Sequence, residues 1–444
     1  MPERTTRSLC PVCKKQISAE IKKEGFNVYL HKNCPEHGKF RVLISKDAAR
    51  FSDKTFSSPG KPFKAAIKAG ADPGCPDNCG WCSSHKQHIC TGLIEITGAC
   101  DMACPICYFG SKTGGFISTG EFSNRLRTLL EIENGALEVL QISGGEPLLH
   151  PEFGSILALA LAKNIKRILV NTNGLRLLED EKAYQAVKKN RDRAEIYLQF
   201  DGFDENSGQK LRAGRYLEAK EKLISKLDED GIKICLAVTV YAGNLSEIPR
   251  ILKRACEVKN ISGITFQRLA KQGSAFATGL ETVCQEDILQ AMAGSGLMRY
   301  KDIIPLPCSH ENCTSLAFLL CSGKKIYSLG EYLDYSKCTG VLSDRVAFDG
   351  SVLDYLRDNA CRCFPGWLTG KDFIAKSLAR LAGSGKSSDA DLKVLRIMVK
   401  NFMDCETFDF ERAQKCCVGV SSGSGRVVPF CVHNNLKSNF QEVP

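Results

Sequence analysis

The sequence predicts an α/β chain organised as a partial (βα)6 barrel with a small metal-binding module in front of it and a cysteine-bearing domain behind. From Leu93 onward, short apolar and β-branched segments alternate with amphipathic helical ones, the pattern of a parallel sheet with crossover helices. The units recur at a spacing of roughly 30 to 45 residues, room for one helix each. The 23 cysteines bunch before, at the start of and after this region.

The expected division is 1–50 for a rubredoxin-like or zinc-knuckle module, 51–92 for a linker and cysteine-rich segment, 93–280 for the barrel and 281–444 for a C-terminal domain with a substrate cavity. In the first, Cys10 and Cys13 form a Cys-x2-Cys turn, and Cys34 with His37 lies about 20 residues on. Ile17 to Leu30 reads as a hairpin between them. The four side chains suit one mononuclear iron or zinc ion. Residues Phe51 to Asp72 read as a connector. Cys75, Cys79 and Cys82 follow at three-then-two spacing, and Cys90 supplies a fourth thiolate for a closed auxiliary [4Fe–4S] site, with zinc as the alternative. His85 and His88 are read as hydrogen-bonding neighbours.

Expected barrel strands are Leu93–Thr97, Glu138–Ser143, Arg167–Thr172, Glu195–Asp201, Lys233–Val240 and Gly263–Gln267. Helices are expected over Thr119–Glu133, Pro151–Ala162, Asp180–Lys189, Leu217–Asp230 and Leu245–Val258, where apolar residues such as Phe122, Leu126 and Leu129 recur at helical spacing. Beyond the barrel, Lys371–Leu381 and Asp391–Met403 read as helices and Gly383–Ser388 as a loop. Cys308, Cys313, Cys416 and Cys431 are expected to close a further cluster, with Cys417 the rival of Cys416. Cys321, Cys338, Cys361, Cys363 and Cys405 have no assigned role. Cys235, Cys256 and Cys284 read as buried free thiols.

The chemistry concentrates in one loop. Cys100, Cys104 and Cys107 can hold three irons of a cubane and leave the fourth open, whereas zinc would want a closed tetrahedron. Cys-x3-Cys-x2-Cys followed by the aromatic Tyr108, and Gly144-Gly145-Glu146-Pro147 after the next strand, resemble the radical S-adenosylmethionine (SAM) superfamily signature. The resemblance implies that the open iron chelates the methionyl group of SAM, and that one electron cleaves it to a 5'-deoxyadenosyl radical. Gly144, Gly145 and Glu146 would receive the ammonium, while Asn173 and Asp201, at the ends of the third and fourth strands, would contact the nucleoside.

The order of knuckle, cysteine triad, signature loop, Pro-Leu-Pro-Cys308 and Cys416-Cys417 with Pro-Phe-Cys431 resembles along almost the whole chain the archaeal tetraether lipid synthases and 7,8-dihydro-6-hydroxymethylpterin methyltransferases. That clade implies three [4Fe–4S] clusters, SAM and a mononuclear iron or zinc. It implies carbon–carbon bond formation on a lipid chain, or alternatively methyl transfer to a pterin, with reduced ferredoxin or flavodoxin as electron donor. A zinc-binding interaction module without catalysis is the non-enzyme alternative, and colourless protein would mark it. The net charge of +10 comes from lysines and arginines spread along the chain, which argues against a nucleic-acid partner. No export signal or membrane-spanning run is seen, so a cytoplasmic protein with at most peripheral membrane contact is expected.

Overall fold

The computed structural model describes residues 4–61, 63, 79–109, 114–343, 392–423 and 425–436. Four antiparallel strands, β1 (Arg4–Leu9), β2 (Gln16–Glu24), β3 (Asn27–Cys34) and β4 (Gly38–Ser45), form the N-terminal module. Alternation decides its faces: Ile17, Ala19 and Ile21 of β2 point inward with Val28 and Leu30 of β3, while the residues between them on β2 face water.

The module is docked by polar contacts that reach far along the chain. Arg4 pairs with Asp409 at 2.6 Å, Thr6 donates to Asp409 at 2.7 Å, and Ser8 donates to the Phe408 carbonyl at 2.6 Å. Lys32 is buried, and its ammonium is satisfied by the carbonyls of Leu9 (3.0 Å) and Cys405 (2.6 Å).

The barrel is one side of a 12-stranded sheet. Strands β5 (Thr91–Thr97), β6 (Leu137–Gly144), β7 (Ile165–Thr172), β8 (Ala194–Gln199), β9 (Ile234–Val240) and β10 (Ile261–Arg268) lie parallel and in sequence order, as expected. The helices between them pack outside. In Thr119–Ile132 the Ser118 hydroxyl caps the first turn by accepting from Glu121 N at 3.1 Å, and Phe122, Leu126 and Leu129 turn inward. The helix Ile248–Glu257 buries Ile248, Ile251, Leu252 and Ala255 in the same way.

Residues beyond 281, expected as a separate unit, add strands to the barrel sheet itself. β14 (Leu392–Lys400) pairs parallel with β10, and β15 (Val418–Ser421) pairs parallel with β5, so eight parallel strands line the interior. β12 (Thr314–Ser322), flanked by β11 (Ile304–Pro305) and β13 (Lys325–Ser328), runs antiparallel on β14, and β16 (Val427–Pro429) antiparallel on β15.

The helix expected over Asp391–Met403 is instead a strand over Leu392–Lys400, followed by irregular chain through Met403. Leu395, Ile397 and Val399 are buried on one face, while Arg396, Met398 and Lys400 turn into the barrel. Because both faces carry apolar residues, the segment lacks the alternation that marks a half-exposed strand. The expected helix Lys371–Leu381, the loop Gly383–Ser388, Cys75, Cys361 and Cys363 lie outside the described residues. Among the described residues no helix is long and apolar enough to cross a membrane.

Candidate active site in the barrel

A cavity of about 320 Å³ opens inside the barrel, lined from the signature loop at the C-terminal strand ends down to Thr91, Val139, Arg167, Cys235 and Arg396. Cys100, Cys104, Cys107 and Tyr108 all face it. The loop that carries them leaves β5 and is clamped from beneath: Gly145 N donates to Thr97 O at 2.8 Å and Glu146 N to Ala99 O at 2.7 Å. A Cβ on Gly144 would stand 2.3 Å from Thr97 O, and one on Gly145 would stand 2.1 Å from Ala99 O. The paired glycines thus let the second strand's end lie directly under the cysteine loop, a closer constraint than ligand approach alone.

From above, Ser274 N donates to the Cys107 carbonyl at 3.0 Å, and Met102 N points at Cys100 Sγ at 3.5 Å. Burial pushes the Cys100 thiol up to about 11 and raises that of Cys104, where the neighbouring Arg212 guanidinium opposes the rise.

Glu146 is buried, and its carboxylate ties two strand ends together. It accepts from Thr172 Oγ1 (2.8 Å), Asn173 N (2.8 Å) and Leu148 N (3.1 Å). Burial outweighs these bonds and lifts its pKa to about 7. Most of its accepting capacity is spent inside the protein, which holds the carboxylate in place. Asn173 in turn donates to Asp101 of the cysteine loop at 2.6 Å.

Asp201, expected to contact the nucleoside, is instead consumed internally. Arg212 grips it in a two-pronged pair at 2.6 and 3.0 Å, Thr239 N adds 2.9 Å and Gln199 Nε2 adds 2.5 Å. The residue that reaches the cavity is Arg212, at the end of the helix Glu205–Arg212, which also donates to Thr239 Oγ1 at 2.9 Å. Near it the buried Lys220 donates to Asn173 O and to Gln199 Oε1, and burial first, then the Arg212 charge, lower its pKa to about 8.

The wall carries polar side chains, of which Asn171 and Gln199 lie in the strand-end segments expected to contact the nucleoside and Gln141, Tyr197, Thr265 and Gln267 were given no role by the sequence. Gln141, Asn171, Tyr197, Gln199, Thr265 and Gln267 project inward from β6, β7, β8 and β10. A signal existed: amides and hydroxyls at alternating positions of otherwise apolar parallel strands mark an interior that is not a sealed core. Tyr108 is half-buried and packs against Phe402, edge-on at 6.2 Å between ring centres, and Phe402 lies 4.9 Å from Phe430.

The remaining cysteines assemble differently from the expected sets. Cys10, Cys13, Cys34 and His37 come together as expected, with His37 Nδ1 at 3.5 Å from Cys34 Sγ and 3.7 Å from Cys10 Sγ. Cys90, however, joins Cys308 and Cys417 in a fully buried trio, with Cys308 and Cys417 sulfurs 3.8 Å apart. It does not close a set with Cys79 and Cys82.

The cause is the β15–β5 pairing, which sets Cys417 beside Cys90, whose N–H donates to Cys417 O at 3.0 Å. Successive residues entering a strand point opposite ways, so Cys416 turns from this trio; burial first, and then the neighbouring Cys431, Cys417 and Cys313, raise its thiol pKa. The expected set of Cys308, Cys313, Cys416 and Cys431 is thereby split, and Cys417 rather than Cys416 partners Cys308. Arg412 donates through Nε to Cys313 Sγ at 3.2 Å, and Cys79 lies in the apolar cluster against which Cys431 packs. Of the thiols read as buried and free, Cys235 is buried and faces the cavity beside Thr265.

With this geometry in view, comparison with known proteins is informative. Residues 94–255 match the radical SAM superfamily, and residues 2–46 match the N-terminal zinc ribbon domain described for HMPTM. Over 98% of its length the chain is 26% identical to the 7,8-dihydro-6-hydroxymethylpterin dimethyltransferase of Methanocaldococcus jannaschii, spanning 94% of that protein. A local match at 31% identity covers 33% of the chain and 48% of a probable GTP 3',8-cyclase of Methanococcus maripaludis. Among solved structures, Streptococcus suis SuiB bound to its precursor peptide aligns over 42% of this chain and 41% of its own, with a TM-score of 0.38 and 17% identity.

Proposed function

Because this chain carries a radical SAM domain behind a zinc ribbon, we propose that it is a radical SAM enzyme that attaches a carbon substituent, a methyl group first of all, to a compact nitrogen heterocycle of the pterin type. The observation that carries the reading is the cavity of about 320 Å³ below the cysteine loop, walled in part by Gln141, Asn171, Tyr197 and Gln267. Such a wall serves a ring with several hydrogen-bonding groups. The near full-length similarity to a pterin dimethyltransferase supports the same substrate class. Carbon–carbon coupling of a lipid chain, the other activity implied by the sequence, has less support, since an alkyl chain would leave the buried Asn171 Oδ1 without a partner.

The residues fit the cofactors. Three thiols on one loop, one beside a guanidinium, suit a [4Fe–4S] cluster held by Cys100, Cys104 and Cys107, and Gly144, Gly145, Glu146 and Asn173 would hold SAM next to it. Bound together, cluster and SAM supply a one-electron cleavage that yields a primary carbon radical, chemistry beyond any side-chain acid or base.

The chain's own part is placement. Glu146 locks the third strand's end to the cysteine loop, Arg212 and Lys220 hold positive charge beside that loop, and the barrel wall keeps bulk water from the reacting carbon. We assign further metal sites to Cys90, Cys308 and Cys417, and to Cys313, Cys416 and Cys431 with Cys79. The ribbon takes a single zinc or iron. Reduced ferredoxin or flavodoxin is the electron donor this scheme calls for.

The test is anaerobic incubation of the reconstituted protein with SAM, dithionite and 6-hydroxymethyl-7,8-dihydropterin. Formation of 5'-deoxyadenosine together with a pterin heavier by one or two methyl groups supports the reading. SAM cleavage that never changes the pterin, while lipid extracts gain coupled chains, overturns it in favour of lipid coupling.

A further inference from the structure

Two side chains in the cavity wall retain hydrogen-bonding capacity that nothing among the described residues takes up. Asn171 on β7 donates through Nδ2 to Ser143 Oγ at 3.2 Å, while its Oδ1 is buried and has no hydrogen-bond partner among the described residues. Directly opposite in the strand register stands Tyr197 on β8, so both side chains face the same way into the barrel. The Tyr197 hydroxyl accepts from Gln267 Nε2 at 2.7 Å. With Gln267 donating to its oxygen, the phenolic O–H is left to donate in turn, and the side chain lines the cavity. Burial keeps the phenol protonated. One buried acceptor and one donor thus stand on adjacent strands, whose axes lie about 4.8 Å apart.

We propose that Asn171 and Tyr197 read the substrate's lactam edge, Asn171 Oδ1 accepting a ring N–H and the Tyr197 hydroxyl donating to the carbonyl or ring nitrogen next to it. The inference rests on the reading of the substrate as a compact nitrogen heterocycle, and it selects among such rings: those with an N–H next to an acceptor on one edge satisfy both groups at once. Alkylation of that N–H leaves the Asn171 oxygen buried and unpaired, which is how a site built for hydrogen bonding rejects an analogue lacking the donor. Leu93, Leu169 and Met398 line the same cavity and offer the ring apolar surface. The reacting carbon would then lie away from the recognised edge.

The experiment is fluorescence titration of the intact, anaerobically purified protein with 6-hydroxymethylpterin and with its N3-methyl derivative. Wild-type protein is expected to bind the parent pterin and to bind the N3-methyl form about tenfold or more weakly. Asn171→Leu and Tyr197→Phe are each expected to weaken the parent pterin by a similar factor, and Asn171→Leu no longer to distinguish the two ligands. Asn171→Asp, which still presents an acceptor, recovers binding, and the melting temperature of each variant monitors folding.

Parent binding that is equal in wild type, Asn171→Leu and Tyr197→Phe overturns the assignment of these two residues and leaves the pterin reading standing. Wild-type protein that ignores both pterins but binds guanosine, with the same loss in Asn171→Leu, keeps the lactam edge and removes the pterin. Binding of neither ring class overturns both.

Discussion

At the scale of the residue, the site depends on atoms that leave no space and groups whose charge is held against burial. Gly145 illustrates the first. With Ala99 O only 2.1 Å from where a Cβ would sit, Gly145→Ala must push the cysteine loop off the second strand. The expected outcome is protein that folds but loses most of the iron held by Cys100, Cys104 and Cys107, read from the iron-to-protein ratio and the visible absorbance of the reconstituted sample.

Glu146 illustrates the second. Its folded pKa of about 7 lies above the 4.5 of a free side chain, so between those values the native state binds more protons than the unfolded one. Stability is therefore expected to fall as pH rises from about 4.5 through 7 and to level off above, by up to about 3 kcal/mol for the SAM-free protein. Replacing it by glutamine should flatten that dependence in thermal melts between pH 5 and 8. A profile as steep in the variant as in wild type would locate the dependence elsewhere.

At the scale of the element, the strand that carries the Cys416-Cys417 pair decides which thiols meet. Cys417→Ser is expected to remove the metal held with Cys90 and Cys308, and Cys416→Ser the metal near Cys313 and Cys431. Each should lower iron by about four per chain if both sites hold cubanes, with distinct electron paramagnetic resonance signals lost in the two variants.

This partition was not legible in the sequence, because it follows from the pairing of β15 with β5 across more than 300 residues, which no local pattern encodes. The six parallel strands were legible, since apolar β-branched runs and capped amphipathic helices such as Ser118–Ile132 are local signals. The signature loop and the Gly-Gly-Glu turn were legible as motifs. Their internal logic was not, as Glu146 binding Thr172 and Asp201 binding Arg212 are contacts between strand ends that only folding brings together. β14 was misread because a strand buried on both faces loses its alternation.

At the scale of the whole molecule, the zinc ribbon is fastened across the C-terminal segment through Arg4, Thr6, Ser8 and Lys32. Cys10→Ser, or chelation of the ribbon metal, is expected to lower the melting temperature and yield while the signature cluster still assembles in the protein that survives, since ribbon metal binding is coupled to ribbon folding. Loss of 5'-deoxyadenosine formation at an unchanged melting temperature would assign the ribbon a part in catalysis.

The barrel sheet has a further consequence for how the protein is made. Both flanks of the six-strand sheet are completed by β14 and β15, which leave the ribosome roughly 120 residues or more after β10. At about 5 to 20 residues per second, the nascent chain spends several seconds or longer with β5 and β10 as bare edges and with the cavity open along its side. Cluster delivery to the signature loop has that interval in which the thiols are reachable. Once β15 pairs with β5, Cys417 completes the buried trio with Cys90 and Cys308, so a metal there is expected to be placed after the signature loop has already been within reach.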